Sequence, residues 1–471
     1  MYKFRQLLLL VVLTAMYFLS GCSNDSSNDI KDPDLTVQFA SSELGFPEDE
    51  QEAVIDLVFQ RALPEASEIE ISFEESNLTY GVDYITEPAA EAGMITLQAD
   101  AGNTSISFKV IKQVDFYEGD ETIDFTLISA GIGNVIGDRD ALKLTFGQII
   151  SEGSELIADM GGSNQTHQVY IQLSANKMTR TANDAWDYAF YNGDMNVVKL
   201  NYAIGAGAIS MEKTNFEDIT ADDIEAAKAK LPGNYADPGT SVDNPNGDLN
   251  DVALKNIGSD EASSDIYLVK LGTTTDYSTG APVTVVKAWQ LVQFVNTGSG
   301  YKMTYSDADG TWTDTSSMDV AKEGSENYVY ASTQSASLVT VEPSRSTWDI
   351  AFTRMTGRTQ NGPNEVAAGY KDYVIQNHLG SIEVAKVMID ESADPNEAFN
   401  SFTNADVEGL EFGNDQNTIG DDWRSLKGYE LVLNTDRFYI VKDQNGLMYK
   451  LRFTSLGENE RGYPQVQYVL L

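Results

Sequence analysis

The chain has 471 residues, 42% of them hydrophobic, with 23 Tyr and 19 Phe. That is enough for two or three domains with a sizeable core, leans towards strands, and excludes a disordered polypeptide. A formal net charge of -41 argues against a nucleic-acid binder, which needs clustered Lys and Arg; it suits a soluble surface or secreted protein, or one that meets divalent cations.

The single cysteine, Cys22, permits no internal disulfide, and zinc-finger and iron–sulfur spacings are absent. Residues 1–22 read as a secretory signal. Lys3 and Arg5 supply the positive start and Leu7 to Phe18 the apolar run, which is too short for a spanning helix. It closes with Leu19-Ser20-Gly21-Cys22, which resembles the bacterial lipobox. The resemblance implies a diacylated Cys22 at the mature N-terminus, and more than one acyl chain anchors a protein stably to a membrane. Residues 23–32 are polar and read as a flexible tether. No other apolar run is long enough to span a bilayer.

Residues 33–150 read as a β-sandwich. Glu68 to Phe73 and Thr104 to Val110 alternate apolar and polar residues, as half-buried antiparallel strands do. Val54 to Phe59 alternates only in part and suits a more buried strand. Two acidic clusters follow this pattern, Tyr80-Gly81-Val82-Asp83-Tyr84 and Asp115 to Phe125. The Gly119-Asp120-Glu121-Thr122 portion and the Asp83-Tyr84 turn resemble Calx-β domains. In that family loop carboxylates at one end can bind calcium, which needs six to eight oxygens converging from separate loops. Asp83, Asp115, Glu118, Asp120 and Glu121 are the calcium candidates; the alternative is a set of solvated loop acids.

The acidic, Gly-bearing segment from Glu152 to Ser163 reads as a linker, with a join at Gly161-Gly162-Ser163. Beyond it the region 152–471 carries two copies of one series, at about 164–320 and 325–471. Val169-Tyr170 and Trp186-Asp187-Tyr188-Ala189-Phe190 are answered by Val329-Tyr330 and Trp348-Asp349-Ile350-Ala351-Phe352. Ile266 to Lys270 is answered by Phe438 to Lys442, so the repeat keeps its order. Read as strands, the Trp motifs put Trp186, Tyr188 and Phe190, and likewise Trp348, Ile350 and Phe352, on one core face. Asp187 and Asp349 fall on the opposite face, placed to tie down a neighbouring turn. Thr220 with Asp223 predicts a capped helix from Ala221 to Leu231, and Asp394-Pro395 a short one through Phe402. Residues 232–251 read as a loop inserted in the first copy. Arg437 to Lys442, the Asn445-Gly446 turn and Leu447 to Phe453 predict a hairpin, and Gln465 to Leu471 a closing strand.

Trp348 to Phe352, Asp372-Tyr373-Val374 through Asn377-His378-Leu379-Gly380, Asp422-Trp423-Arg424, the hairpin and Arg461-Gly462-Tyr463-Pro464 together resemble the HmuY-type family of haem-binding bacterial lipoproteins. The resemblance runs from about Val329 to the C-terminus, with weaker echoes back to Val169. It implies a mostly β fold, anchorage at the outer membrane or surface of a Gram-negative bacterium, and capture of haem or a related tetrapyrrole for an outer-membrane uptake receptor. Haem iron takes His, Met, Cys or Tyr. His378, in the family-like stretch, His167, before the first copy's opening strand, and Met388 are the candidates. Each also suits a bland role, surface or hydrogen-bonding for the histidines and core packing for the methionine. No Gly-x-Ser-x-Gly elbow accompanies either histidine, and Gly205-Ala206-Gly207 lacks the setting of a nucleotide fingerprint, so no enzyme is expected. The expectation is a mainly β protein, a sandwich followed by a duplicated, mostly antiparallel region. Haem capture at the cell surface is the first reading. A non-enzymatic binding or adhesion lipoprotein on a calcium-stabilised stalk is the second.

Overall fold

A computed structural model of the chain describes residues 35–46, 50–114, 121–147, 150–233, 235–276, 282–428, 430–457 and 461–471. The signal, Cys22 and the tether lie outside the described residues. The protein is mainly β, with short helices. No helix among the described residues is long and apolar enough to cross a membrane.

Residues 35–147 form two facing five-stranded sheets. One runs Tyr84–Glu87, Ser105–Lys112, Glu52–Phe59, Leu35–Phe39, Asn134–Ile136. The other runs Glu43–Phe46, Ala141–Phe146, Thr122–Ser129, Ser67–Ser76, Met94–Ala99. Alternation decides what is inside: Ile69 and Ile71, Phe108 and Val110, and Ile123 and Phe125 are all buried in one core. Phe108 and Phe125 meet edge to face at 5.1 Å. Glu52–Phe59 breaks strict alternation for a visible reason. Ile55, Leu57 and Phe59 face the sandwich core, while Val58 is buried on the other side with Ala40, Ile157 and Tyr463 of the following region.

The Glu152–Ser163 segment is not a linker. Gly153–Ile157 is an edge strand paired with Gln465–Leu470, and Leu156 and Ile157 are buried. At the join, Gly162 and Gly462 touch so closely that a Cβ on Gly462, whose φ is +101°, would fall 2.0 Å from the Gly162 carbonyl oxygen. Only glycine meets both demands.

The rest of the chain is built from reciprocal exchange between its two series. Strand His167–Gln172 of the first pairs with Ile350–Asn361 of the second, in the register Val169 to Phe352 and Ile171 to Ile350. Strand Tyr188–Tyr191 of the first pairs with Tyr328–Ser332 of the second, in the register Phe190 to Val329 and Tyr188 to Ala331. Two five-stranded sheets flank this centre with matching orders. One is Ser316–Ala321, Gly300–Asp307, Trp289–Asn296, Ile266–Lys270, Gly207–Ser210; the other is Gly153–Ile157, Gln465–Leu470, Met448–Ser455, Arg437–Lys442, Glu383–Met388. The first of these sheets is built from the first series, and in the second Gly153–Ile157, which precedes the first series, closes on Gln465–Leu470 at the end of the second.

The Trp motifs differ from the simple alternation expected. Each tryptophan precedes its strand, which begins at Tyr188 or Ile350. Phe352 and Ile350 enter one core, whereas Trp348 packs with Tyr170, Met355 and Tyr373. Trp186 likewise leaves Tyr188 and Phe190 and packs with Tyr328 and Tyr330. The aspartates do tie down turns. Asp349 accepts the Leu173 N–H at 2.7 Å, and Asp187 accepts the Thr333 N–H at 2.8 Å and its hydroxyl at 2.7 Å. Each carboxylate thus fastens the end of a strand from the other series. Asn201 and Asn377 repeat the logic, donating to the Trp186 and Trp348 carbonyls at 2.7 and 2.9 Å.

Thr220 and Asp223 form the expected capping box, but the helix ends at Lys228, short of Leu231. Asp394 caps Pro395–Ser401 through the Asn396 and Glu397 N–H groups. The C-terminal hairpin and closing strand lie where expected. Residues 232–251 are no free insertion: Asp243 is buried and accepts the Leu200 and Ala253 N–H groups at 2.9 Å each.

The two aspartates differ in one respect that can be measured. Asp187 also pairs with the half-buried Lys287 ammonium, whereas burial without a cation pushes the Asp349 carboxyl up to about 7. Asp187→Ala should therefore lower the unfolding free energy by roughly 3–5 kcal/mol, since it strands Lys287. Asp349 holds its proton in the fold where the unfolded chain has released it. Its contribution is complete below its ordinary value of 3.8 and is lost as pH rises through about 7. Asp349→Asn should gain roughly 1–4 kcal/mol on wild type between those values. Denaturant unfolding at both pH values measures this, and equal losses for the two variants would contradict the assignment.

Candidate functional site

Where the exchanged strands meet, their aromatic residues enclose a chamber. Tyr170 meets Trp348 edge to face at 5.0 Å, and Tyr330 meets Trp186 at 5.0 Å, the same contact made twice. Lys199, Glu342 and His378 complete the wall. Lys199 is 4% exposed, lies 5.6 Å from the Tyr328 ring centre, and makes no hydrogen bond or ion pair with described residues. Burial holds its ammonium below the usual lysine range, opposed by the Asp243 and Glu342 carboxyls. Burial pushes Glu342 up to about 8, although it accepts the Tyr328 N–H at 2.7 Å. The indole N–H groups of Trp186 and Trp348 and the Tyr328 hydroxyl are buried without partners. Such unsatisfied donors are costly in a core. The volume they surround is about 20 Å³, room for one water molecule.

His167 stands between two larger spaces. One is a groove of about 480 Å³ between the sandwich and the exchanged region, walled by Glu50, Glu52, Asp56, Lys177, Met178 and Arg180. Arg180 fastens the two sides together: it donates to Ser105 Oγ at 2.7 Å and Thr104 Oγ1 at 3.0 Å, and pairs with Asp159 at 3.2 Å. Burial pushes Asp56, facing Arg180 and Asp159, up to about 6. The second is a cleft of about 180 Å³ lined by Gln165, Asn183, Asp184, Thr273 to Thr275 and Arg354.

Comparison with known proteins bears on the second series. Residues 324–468 match the family model described as HmuY protein. That segment is HmuY-like. It covers just under a third of the chain and holds the strands from Tyr328–Ser332 to the C-terminal hairpin. No curated protein matches the chain. Among solved structures, similarity extends to the apo form of the Calx CBD1 domain, at 14% identity and TM-score 0.21, covering 24% of this chain and 96% of that one. It also extends to a two-domain protein of Bacteroides fragilis, at 10% identity and TM-score 0.18, covering 57% and 73%. A third is the chaperone DraB of E. coli, at 7% identity and TM-score 0.16, covering 26% and 68%.

Within the HmuY-like segment, His378 opens a 3-10 turn after strand Asn364–Gln376 and lines the chamber. Its ring packs against Gly247, where an added Cβ would fall 2.6 Å from Cε1. His167 lies outside the segment and lines different cavities from His378. Met388 is neither core nor pocket: it is 54% exposed on a sheet strand. Of the acidic candidates, Asp115, Glu118 and Asp120 lie outside the described residues. Asp83 accepts the Thr79 N–H at 2.7 Å, and Glu121 is buried. Both sit at one end of the sandwich, for Tyr84 packs on Phe146, whose N–H donates to the Glu121 carbonyl. Among the described residues no three acidic, His or Cys side chains converge as a metal site. Sequence reasoning passed over Lys199, Glu342 and Arg354, since nothing local marks a charge whose partner is missing.

Burial holds both imidazoles neutral. His378 is pushed down to about 4, with Lys199 adding to the effect, and His167 to about 3, with Arg180 adding. The unfolded chain takes up protons near 6.5 that the fold refuses, so the histidines' own contribution to stability falls as pH drops below that value, against the opposite trend of the raised carboxyls. With only two histidines in the chain, their ring-proton NMR shifts should stay constant from pH 8 to pH 5. A titration midpoint near 6.5 for either would show that it is solvated.

Proposed function

We propose that the protein is a lipid-anchored surface protein that binds its ligand without transforming it, and that the ligand is haem or a related tetrapyrrole destined for an outer-membrane uptake receptor. The observation that carries this reading is the HmuY match over residues 324–468. The Leu19-Ser20-Gly21-Cys22 end of the signal supports the anchor.

The described residues do not fit a haem held by His167 and His378. The chamber beside His378 has room for one water. The groove beside His167 has the volume of a ligand pocket. There, however, Arg180 approaches His167 Nδ1 at 3.2 Å, and a guanidinium only donates. Nδ1 must then be bare and Nε2 protonated, which leaves no lone pair for iron. Glu50, Glu52 and Asp56 add an acidic rim. Haem capture on this reading therefore does not use the histidine pair. Haemin titrated into the full chain should give a saturable Soret change that persists in the His167→Ala, His378→Ala double variant. A flat titration under both oxidising and reducing conditions would overturn the reading.

A second reading, a binding or adhesion lipoprotein on a calcium-stabilised stalk, is favoured by Asp83 and Glu121 sharing one end of the sandwich. It expects calcium to raise the melting temperature of the full chain and a chelator to lower it. A melt indifferent to both counts against it.

A further inference from the structure

Arg354 follows the Trp348 to Phe352 motif by two residues and sits where the strand ladder breaks. Ile350–Asn361 pairs with Asn364–Gln376 in regular register except between Thr353 and Met355. Thr353 opposes Tyr373 and Met355 opposes Tyr370, so the single Arg354 faces two residues, Lys371 and Asp372, and the bulge lies on the Asn364–Gln376 strand. Asp372 adopts a φ of +50°, which a non-glycine residue rarely takes. Bulges of this kind re-aim a side chain, and strained backbone persists only where its surroundings fix it. Here Gln165 fixes it by accepting the Asp372 N–H at 2.9 Å.

Opposite that bulge, Arg354 lines the cleft of about 180 Å³. Every other arginine among the described residues has a hydrogen bond, ion pair or comparable contact; Arg354 has none. Its neighbourhood is positive despite the acidity of the chain. Lys371 is held below the usual lysine range first by burial and then by Arg354 and Arg461. Asp372 is already engaged by Arg461 and Gln165. Thr166 and Thr273 to Thr275 also line the cleft. Asn183 leaves a buried Oδ1 unpartnered there, an acceptor for a ligand hydroxyl or N–H. The opposing charge is Asp184, exposed and bonded by the Thr274 hydroxyl.

We propose that this cleft is a binding site for a small oxyanion that carries a hydroxyl, a hydroxycarboxylate or hydrogen phosphate, with Arg354 as its principal ligand. A guanidinium without a partner matches a carboxylate or phosphate through two parallel N–H donors. This site is independent of the haem reading and shares no residue with the His378 chamber.

The test is calorimetric titration of the full chain with glycolate and, separately, with inorganic phosphate. One of the two should bind with a dissociation constant of about 1 mM or tighter, and the one that binds identifies the source. Arg354→Gln should weaken it roughly tenfold or more, and Arg354→Lys less, because the charge remains but the fork is lost. Asp184→Asn, at an exposed position, should tighten it by roughly two- to fivefold by removing the opposing charge. Failure of both anions to bind the wild-type chain overturns the proposal. So does binding that neither Arg354→Gln nor Asp184→Asn alters.

Discussion

The C-terminal region depends on strands that pair with the other series as well as with their own. Val169 lies beside Phe352 and Phe190 beside Val329, and each junction is fastened by the aspartate that follows a tryptophan. Neither series has a central sheet without the other. The core around Ile350 and Phe352 is completed by Val169, Ile171 and Leu156, which come from the far end of the region. Long-range pairing of this kind is slow to form, because the chain must close large loops before any contact rewards it.

The same exchange explains the chamber. Two tryptophans and two tyrosines are brought face to face because they occupy equivalent positions about an approximate two-fold relation. The polar groups around them are not equivalent. Lys199 aligns with Ile375, Tyr202 with His378, and Leu200 with Gln376, if the strand registers are followed outward. The aromatic frame is thus shared by both series, whereas the charges within it belong to one side. The small volume left between them suits polar locking of a junction better than capture of a large ligand.

Much of the architecture could be read from local signals. Asn445-Gly446 declares its hairpin because few other pairs accept the turn, and Thr220 with Asp223 declares a helix start. The Trp motifs were harder. Period-two reasoning puts Trp348 with Ile350, but the strand starts only after the tryptophan, so its ring turns to a different core. The Glu152–Ser163 strand was hidden because its partner lies at the opposite end of the region. The binding features were least legible. His167 and His378 invite pairing on a page, yet tertiary structure sends them to separate cavities. Arg354 looks like an ordinary strand-end cation until the bulge and the absence of a counter-charge are seen together.

A region held by the same contacts made once in each direction has the geometry of an isologous dimer written into one chain. For two separate chains such an assembly would dissolve on dilution, since its stability would follow protomer concentration. Joining the halves covalently removes that dependence. Covalent joining also frees the halves to diverge, as Asp187 with its lysine and Asp349 without one already have.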